Sequence, residues 1–208
     1  MNREEFLKKV KSKLKPGDIV VTGKQQNEGS PGFVDRLYER VSDKVLGKDN
    51  KHATMYVGKG KFVDTNAPTG VTYRGLAEVL TERKDFKILT PKVSTARKKQ
   101  AVAYVKDRIG EGYSYSKLFG TLWQKGLSNR VPSFLNSNEG HICSGLIGEA
   151  YKGTDIVGKK TPGVMNPSDF GRGNKGLDLK YKATLGENSF KLVKAALLRK
   201  LWNINVTR

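Results

Sequence analysis

The stretch His52-Ala-Thr-Met-Tyr-Val-Gly-Lys-Gly-Lys-Phe-Val-Asp64 carries the densest β signal in the chain. Two runs of β-branched and aromatic residues flank Gly58-Lys59-Gly60, a turn so short that the strands on either side must be antiparallel neighbours. On the N-terminal side, Asp18-Ile-Val-Val-Thr22 reads as a further strand. It follows a short amphipathic helix in residues 1–15 with Phe6, Leu7, Val10 and Leu14 at helical spacing, broken by Pro16-Gly17. Between that strand and His52, Gly29-Ser-Pro-Gly32 marks a loop. Phe33, Val34, Leu37, Tyr38, Val41 and Val45 then predict a helix ending at Gly47.

On the C-terminal side, Gly70-Val-Thr-Tyr-Arg74 and Phe86-Lys-Ile-Leu-Thr90 predict two more strands separated by a helical stretch over Leu76–Leu80. Residues 16–90 therefore form a strand-rich half. After Pro91 the period changes: Ser94–Ile109 is spaced as a helix with Ser94 as its N-cap, and Lys117–Lys125 as another carrying Leu118, Phe119, Leu122 and Trp123. The two are joined by the Gly/Tyr-rich Gly110-Glu-Gly-Tyr-Ser-Tyr115. A polar loop around Pro132 leads to His141–Tyr151, where Ile142, Leu146, Ile147 and Ala150 lie on one helical face. Cys143 thus falls at or near a helix N-terminus. From Gly171 the chain is Gly- and Lys-rich, and Phe190–Trp202 is amphipathic and basic. The expected division is a helix in 1–15, a domain in 16–170 and a basic C-terminal extension in 171–208.

At 208 residues the chain suits one domain with a real core. No run of about 18 apolar residues occurs and the first residues lack a signal-peptide core, so a soluble, cytoplasmic or virion-packaged chain is expected. Lys and Arg outnumber Asp and Glu by 39 to 20, a formal charge of +19, which predicts attraction to polyanions. An acidic wall polymer and an anionic membrane surface both qualify. Specific nucleic-acid binding is not expected, because zinc-finger spacing and ribonucleoprotein signatures are absent. The single cysteine rules out an internal disulfide and a four-cysteine zinc site, and no cofactor or metal is called for.

That single thiol carries the chemical interest. A helix N-terminus and a neighbouring imidazole both favour thiolate, the nucleophilic form. His52, at the start of a rigid strand, suits a general base. Asp64, twelve positions on across the Gly58–Gly60 turn, can orient the ring and stabilise its charged form. The bland alternatives stay open at this point: a buried cysteine that merely fills space, a histidine capping a strand, a solvated aspartate. His141 is the one other histidine; two residues before Cys143, it reads as a loop residue near the site.

These motifs resemble a known family. Lys15-Pro-Gly-Asp-Ile-Val-Val21 and His52-Ala-Thr-Met-Tyr-Val-Gly-Lys-Gly60 are similar to the strand motifs of NlpC-type papain-like hydrolases. Their order ahead of the cysteine helix Cys143-Ser-Gly-Leu-Ile-Gly-Glu-Ala-Tyr151 resembles the circularly permuted branch, YiiX-like and lecithin:retinol acyltransferase-like proteins. Thr161-Pro-Gly-Val-Met-Asn-Pro-Ser-Asp-Phe170 resembles the segment that follows that helix. The resemblance implies an α+β, permuted papain-like fold: a small antiparallel sheet or partial barrel packed on the nucleophile helix. It implies Cys143 as nucleophile, His52 as base and Asp64 in the third polar position, where the family commonly has His or Glu. The Cys143 backbone N–H would supply part of the oxyanion hole, Tyr113 and Tyr115 would line the substrate groove, and Asp18 would be structural. The implied function is a cysteine peptidase or amidohydrolase acting through a thioester, with peptidoglycan as substrate and a phage-particle lysin as one setting. A lipid esterase or acyltransferase on the same scaffold, and a non-catalytic basic structural or nucleic-acid-associated protein, are the rivals.

Overall fold

Strand β1 (Ile19–Thr22) is buried at all four positions, so both its faces are covered, and it lies inside the sheet between two partners. In the computed structural model, residues 3–23, 52–81, 85–126, 132, 140–171 and 173–184 are described. The helix expected from Phe33, the tail over Phe190–Trp202 and most of the loop around Pro132 lie outside the described residues. The remaining strands are β2 (His52–Gly58), β3 (Lys61–Asn66), β4 (Gly70–Gly75), β5 (Asp85–Pro91) and β6 (Leu177–Thr184). They form one open antiparallel sheet in the order β4-β3-β2-β1-β5-β6.

The β2–β3 turn is as tight as the sequence predicts. Gly58, Lys59 and Gly60 all take positive φ (95°, 54° and 74°), a left-handed run that two glycines make cheap. Tyr56 Oη accepts the Gly60 N–H at 3.1 Å, bracing the turn from the strand below it.

Helices cover both faces. Helices α1 (Arg3–Lys13) and α2 (Leu76–Thr81) supply Phe6, Val10, Leu76 and Val79, which with Leu14 pack against Val20, Tyr56, Phe62, Phe86 and Ile88. On the opposite face, α3 (Thr95–Lys106) and α5 (Cys143–Ala150) bury Ala101, Val105, Leu146, Ile147 and Ala150 against Ile19, Val21, Met55, Val63, Val71 and Leu89. In β1, β2, β3 and β5 the residues divide between the two clusters by alternation, as the pleat requires. In β6 the register shift opposite Ile88/Leu89 puts Leu177 and Tyr181 on opposite faces. Ser94 caps α3 as expected, its Oγ accepting the Arg97 N–H at 3.1 Å. Helix α4 (Tyr115–Gly126) completes the set.

The architecture is α+β, with an open sheet rather than a partial barrel. The sheet also runs past residue 171, where the sequence reading begins a C-terminal extension. Strand β6 pairs with β5 from Pro91↔Leu177 to Asp85↔Thr184. Asp18 is structural, as expected: buried, its Oδ2 accepts the Lys15 backbone N–H (2.8 Å) and Lys180 Nζ (3.1 Å), while Oδ1 accepts Thr90 Oγ1 (2.9 Å). The aspartate thereby ties the entry of β1 to β5 and β6.

Candidate active site

Three residues singled out from the sequence meet where β2 and β3 part. Their ladder runs Gly58↔Lys61, Tyr56↔Phe62 and Met55↔Val63. Beyond Met55 side chains connect the strands: Thr54 Oγ1 donates to Val63 O at 2.8 Å, and His52 Nε2 stands 2.5 Å from Asp64 Oδ1. Tyr56 exchanges backbone hydrogen bonds with Gly17 and Asp18, on the β1 side. The two-residue alternation of an antiparallel strand therefore turns the Ala53 N–H the other way, toward β3. There it donates to the sulfur of Cys143, the first residue of α5. The same thiol is within hydrogen-bonding reach of the His52 ring. Because Asp64 holds Nε2, Nδ1 is the nitrogen left for the sulfur.

Burial pushes the Cys143 thiol up. The charge of His52, its hydrogen bond and the Ala53 N–H outweigh burial and bring the thiol below its ordinary value, against a smaller opposing influence from Asp64. Asp64 is 2% exposed, and burial likewise pushes it up. His52, Arg74 and Asn66 nevertheless hold its carboxyl well below the usual carboxylate range. Besides His52, the carboxylate accepts Thr65 N–H at Oδ1 (2.8 Å), and Asn66 Nδ2 (3.0 Å) and Arg74 Nη1 (3.2 Å) at Oδ2. Asp64 is thus an ionised anchor that fixes the imidazole and favours its charged form. His52 is 7% exposed and Cys143 is half-buried.

Helix α5 is seated by close backbone contact. A Cβ at Gly145 would stand 2.1 Å from Gly163 O, and one at Gly148 would stand 2.4 Å from Pro162 O. The 3-10 turn Pro162–Val164 therefore packs directly on the helix backbone. Ser144 Oγ donates to Met165 O (2.6 Å), and Tyr151 Oη, just beyond the helix, donates to Gly17 O (2.7 Å). Cys143 is the first helical residue, so its own N–H has no acceptor within the helix.

Tyr113 and Tyr115 lie edge to face, ring centroids 5.1 Å apart. Tyr113 forms a parallel bridge with His141, flanked by His141 N–H to Gly112 O (2.9 Å) and Ser114 N–H to His141 O (3.0 Å). Helices α4 and α5 consequently start side by side. Tyr115 and Phe119, one turn apart on α4, are each 58% exposed. His141 lies outside the helices and strands, two residues before Cys143, as a loop residue near the site, but it is not solvated. It is 4% exposed, and its ring engages Glu111 and Glu149 instead of the thiol.

Sequence reasoning missed Arg74, Asn66 and the Ala53 N–H. Asn66 and Arg74 had a usable signal: Asn66 is two residues along the strand from Asp64, and Arg74 is two along from Thr72, its cross-strand partner. A cleft of about 560 Å³ elsewhere, lined by residues including Lys87, Ser168, Asn174, Leu179 and Lys182, contains none of the three site residues.

No family model and no curated protein matches the chain. Among solved structures, the metalloprotein YiiX from Escherichia coli O157:H7 is similar at a TM-score of 0.47 and 15% identity, covering 83% of this chain and 99% of that one. Among the described residues no cluster of three or more His, Cys, Asp or Glu suited to hold a metal ion occurs.

Proposed function

We propose that this protein is a cysteine hydrolase with a permuted papain-like arrangement, cleaving an amide bond through a thioester on Cys143. The reading rests on one observation: a half-buried thiol at a helix N-terminus within reach of an imidazole that a buried, ionised aspartate holds. In the first step the Cys143 thiolate attacks the carbonyl carbon. The C–S bond forms, and the Cys143 N–H meets the oxygen that gains charge. His52 then gives its Nδ1 proton to the departing amine as the C–N bond breaks. In the second step His52 takes a proton from water, hydroxide attacks the thioester, and the thiolate leaves with the product carboxylic acid released.

Peptidoglycan is the proposed substrate, since its carboxylate-bearing peptides suit a chain of formal charge +19; a lysin carried by a phage particle is a fitting setting. The test is mass spectrometry of purified peptidoglycan digested with wild type and with Cys143→Ala. Wild type should release peptide fragments and the variant none. Equal fragments from both would end the cysteine mechanism.

A lipid-ester reading draws on the exposed Tyr115 and Phe119, an apolar ledge on the helix that starts beside α5. Release of fatty acid from anionic vesicles by wild type, with sacculi left intact, would favour it.

A further inference from the structure

A second ionic group, largely buried except at Glu111, lies behind the nucleophile helix, and the mechanism above makes no use of it. His141 Nε2 is 2.6 Å from Glu111 Oε2. Its Nδ1 stands 3.0 Å from Glu149 Oε2, off the line of a hydrogen bond. Lys117, 2% exposed, donates from Nζ to Glu149 Oε1 (2.9 Å) and to Gly140 O (3.0 Å). Tyr104 Oη donates to Glu149 Oε2 (3.1 Å), and the Arg108 guanidinium lies 3.3 Å from the centroid of the Tyr104 ring. Burial pushes Glu149 up, but His141 and Lys117 bring it down to about 2. The group draws on Tyr104 of α3, Arg108 just beyond it, Lys117 of α4, Glu149 of α5 and Glu111, and it converges on residues 140–141.

Burying so many charges costs several kcal/mol per ion before pairing, and an apolar packing would be as stable or more so. What the cluster adds is direction. Backbone and side-chain bonds together hold Gly140 and His141 at both edges, and two residues later the chain presents Cys143 to His52.

We infer that Glu111, His141, Glu149 and Lys117 are positioning residues that fix the backbone entering α5, and so hold the Cys143 sulfur against His52 and the Ala53 N–H. The inference rests on the hydrolase reading of Cys143. It makes a prediction of opposite sign to simple electrostatics. By Coulomb's law, removing a carboxylate leaves a thiol unchanged or more acidic. Loosening its seat should make it less acidic, because the charge of His52, its hydrogen bond and the Ala53 N–H that lower it all weaken as the sulfur moves away.

The test is the pH dependence of Cys143 alkylation by iodoacetamide, followed by intact mass, in wild type, Glu111→Gln and Glu149→Gln. Glu111 has a half-exposed side chain, so its variant keeps the fold and the experiment does not depend on Glu149→Gln folding. The expected result is a Cys143 profile moved upward by about one pH unit, about tenfold slower at pH 6, well below the melting temperature. A Glu111→Gln profile equal to wild type, or moved downward, overturns the inference while the hydrolase reading stands. A wild-type thiol that titrates like a free cysteine overturns both.

Discussion

Replacing Asp64 with Asn tests the site most directly, because the two contributions that Asp64 makes to the thiol have opposite signs. Its carboxylate stabilises the His52 imidazolium at contact distance and, more weakly, repels the Cys143 thiolate on the far side of the ring. With charge centres about 4 Å apart and an effective dielectric of about 20, the first is worth about 4 kcal/mol. With about 8 Å across the imidazole, the second is worth about 2 kcal/mol. The net support for the thiolate–imidazolium pair is thus about 2 kcal/mol, or about thirtyfold in its population. Asp64→Asn should therefore slow iodoacetamide alkylation of Cys143 at pH 6 by about thirtyfold, with the two rates converging near pH 9.5 where an ordinary thiol is largely ionised. Circular dichroism on the same samples checks that the fold survives once Arg74 no longer faces a charged Asp64. A variant with the wild-type pH profile would refute the reasoning, since His52 would then need no anion to serve the sulfur.

Acid should destabilise the protein in a defined window. Asp64 and Glu149 both have folded values below their unfolded ones, so the unfolded chain takes up protons first. Their stabilisation is complete above the unfolded carboxylate range of about 4 to 4.5, and it fades as pH falls toward 2. Urea midpoints measured from pH 7 to pH 2.5 should drop across that range, and Glu149→Gln should flatten the decline. Gly145→Ala drives a Cβ to 2.1 Å from Gly163 O and should cost about 1–3 kcal/mol in denaturant unfolding; a wild-type midpoint would contradict the backbone-to-backbone seat of α5. Phe62, 0% exposed and packed 5.1 Å from the Tyr56 ring, should cost about 3–5 kcal/mol on change to Ala, measured the same way.

Much of the architecture was legible because it depends on neighbours in the chain. Gly58-Lys59-Gly60 dictates a hairpin, which sets the strands of His52 and Asp64 side by side. The register shift between Tyr56 and Gly58, which decides how the two side chains face each other, cannot be counted from the sequence. Helical spacing after His141 puts Cys143 at a helix start, and Ser94 announces α3. Strand β6 was overlooked although Leu177, Leu179, Tyr181 and Ala183 alternate with polar residues. Its exposed positions and lysines read as a solvated tail, which suits an edge strand equally well.

The amino-acid order alone determined the local periods, the turn and the chemical types available: one thiol, two imidazoles and an aspartate across a hairpin from one of them. Only folding decided which imidazole met the thiol. That choice depends on the sheet order that makes β1 central, on the parting of β2 and β3 beyond Met55, and on glycines that let α5 sink onto Pro162–Val164. Each of these closes a contact across tens of residues, where the outcome depends on how whole surfaces pack and not on the spacing of residues along one segment.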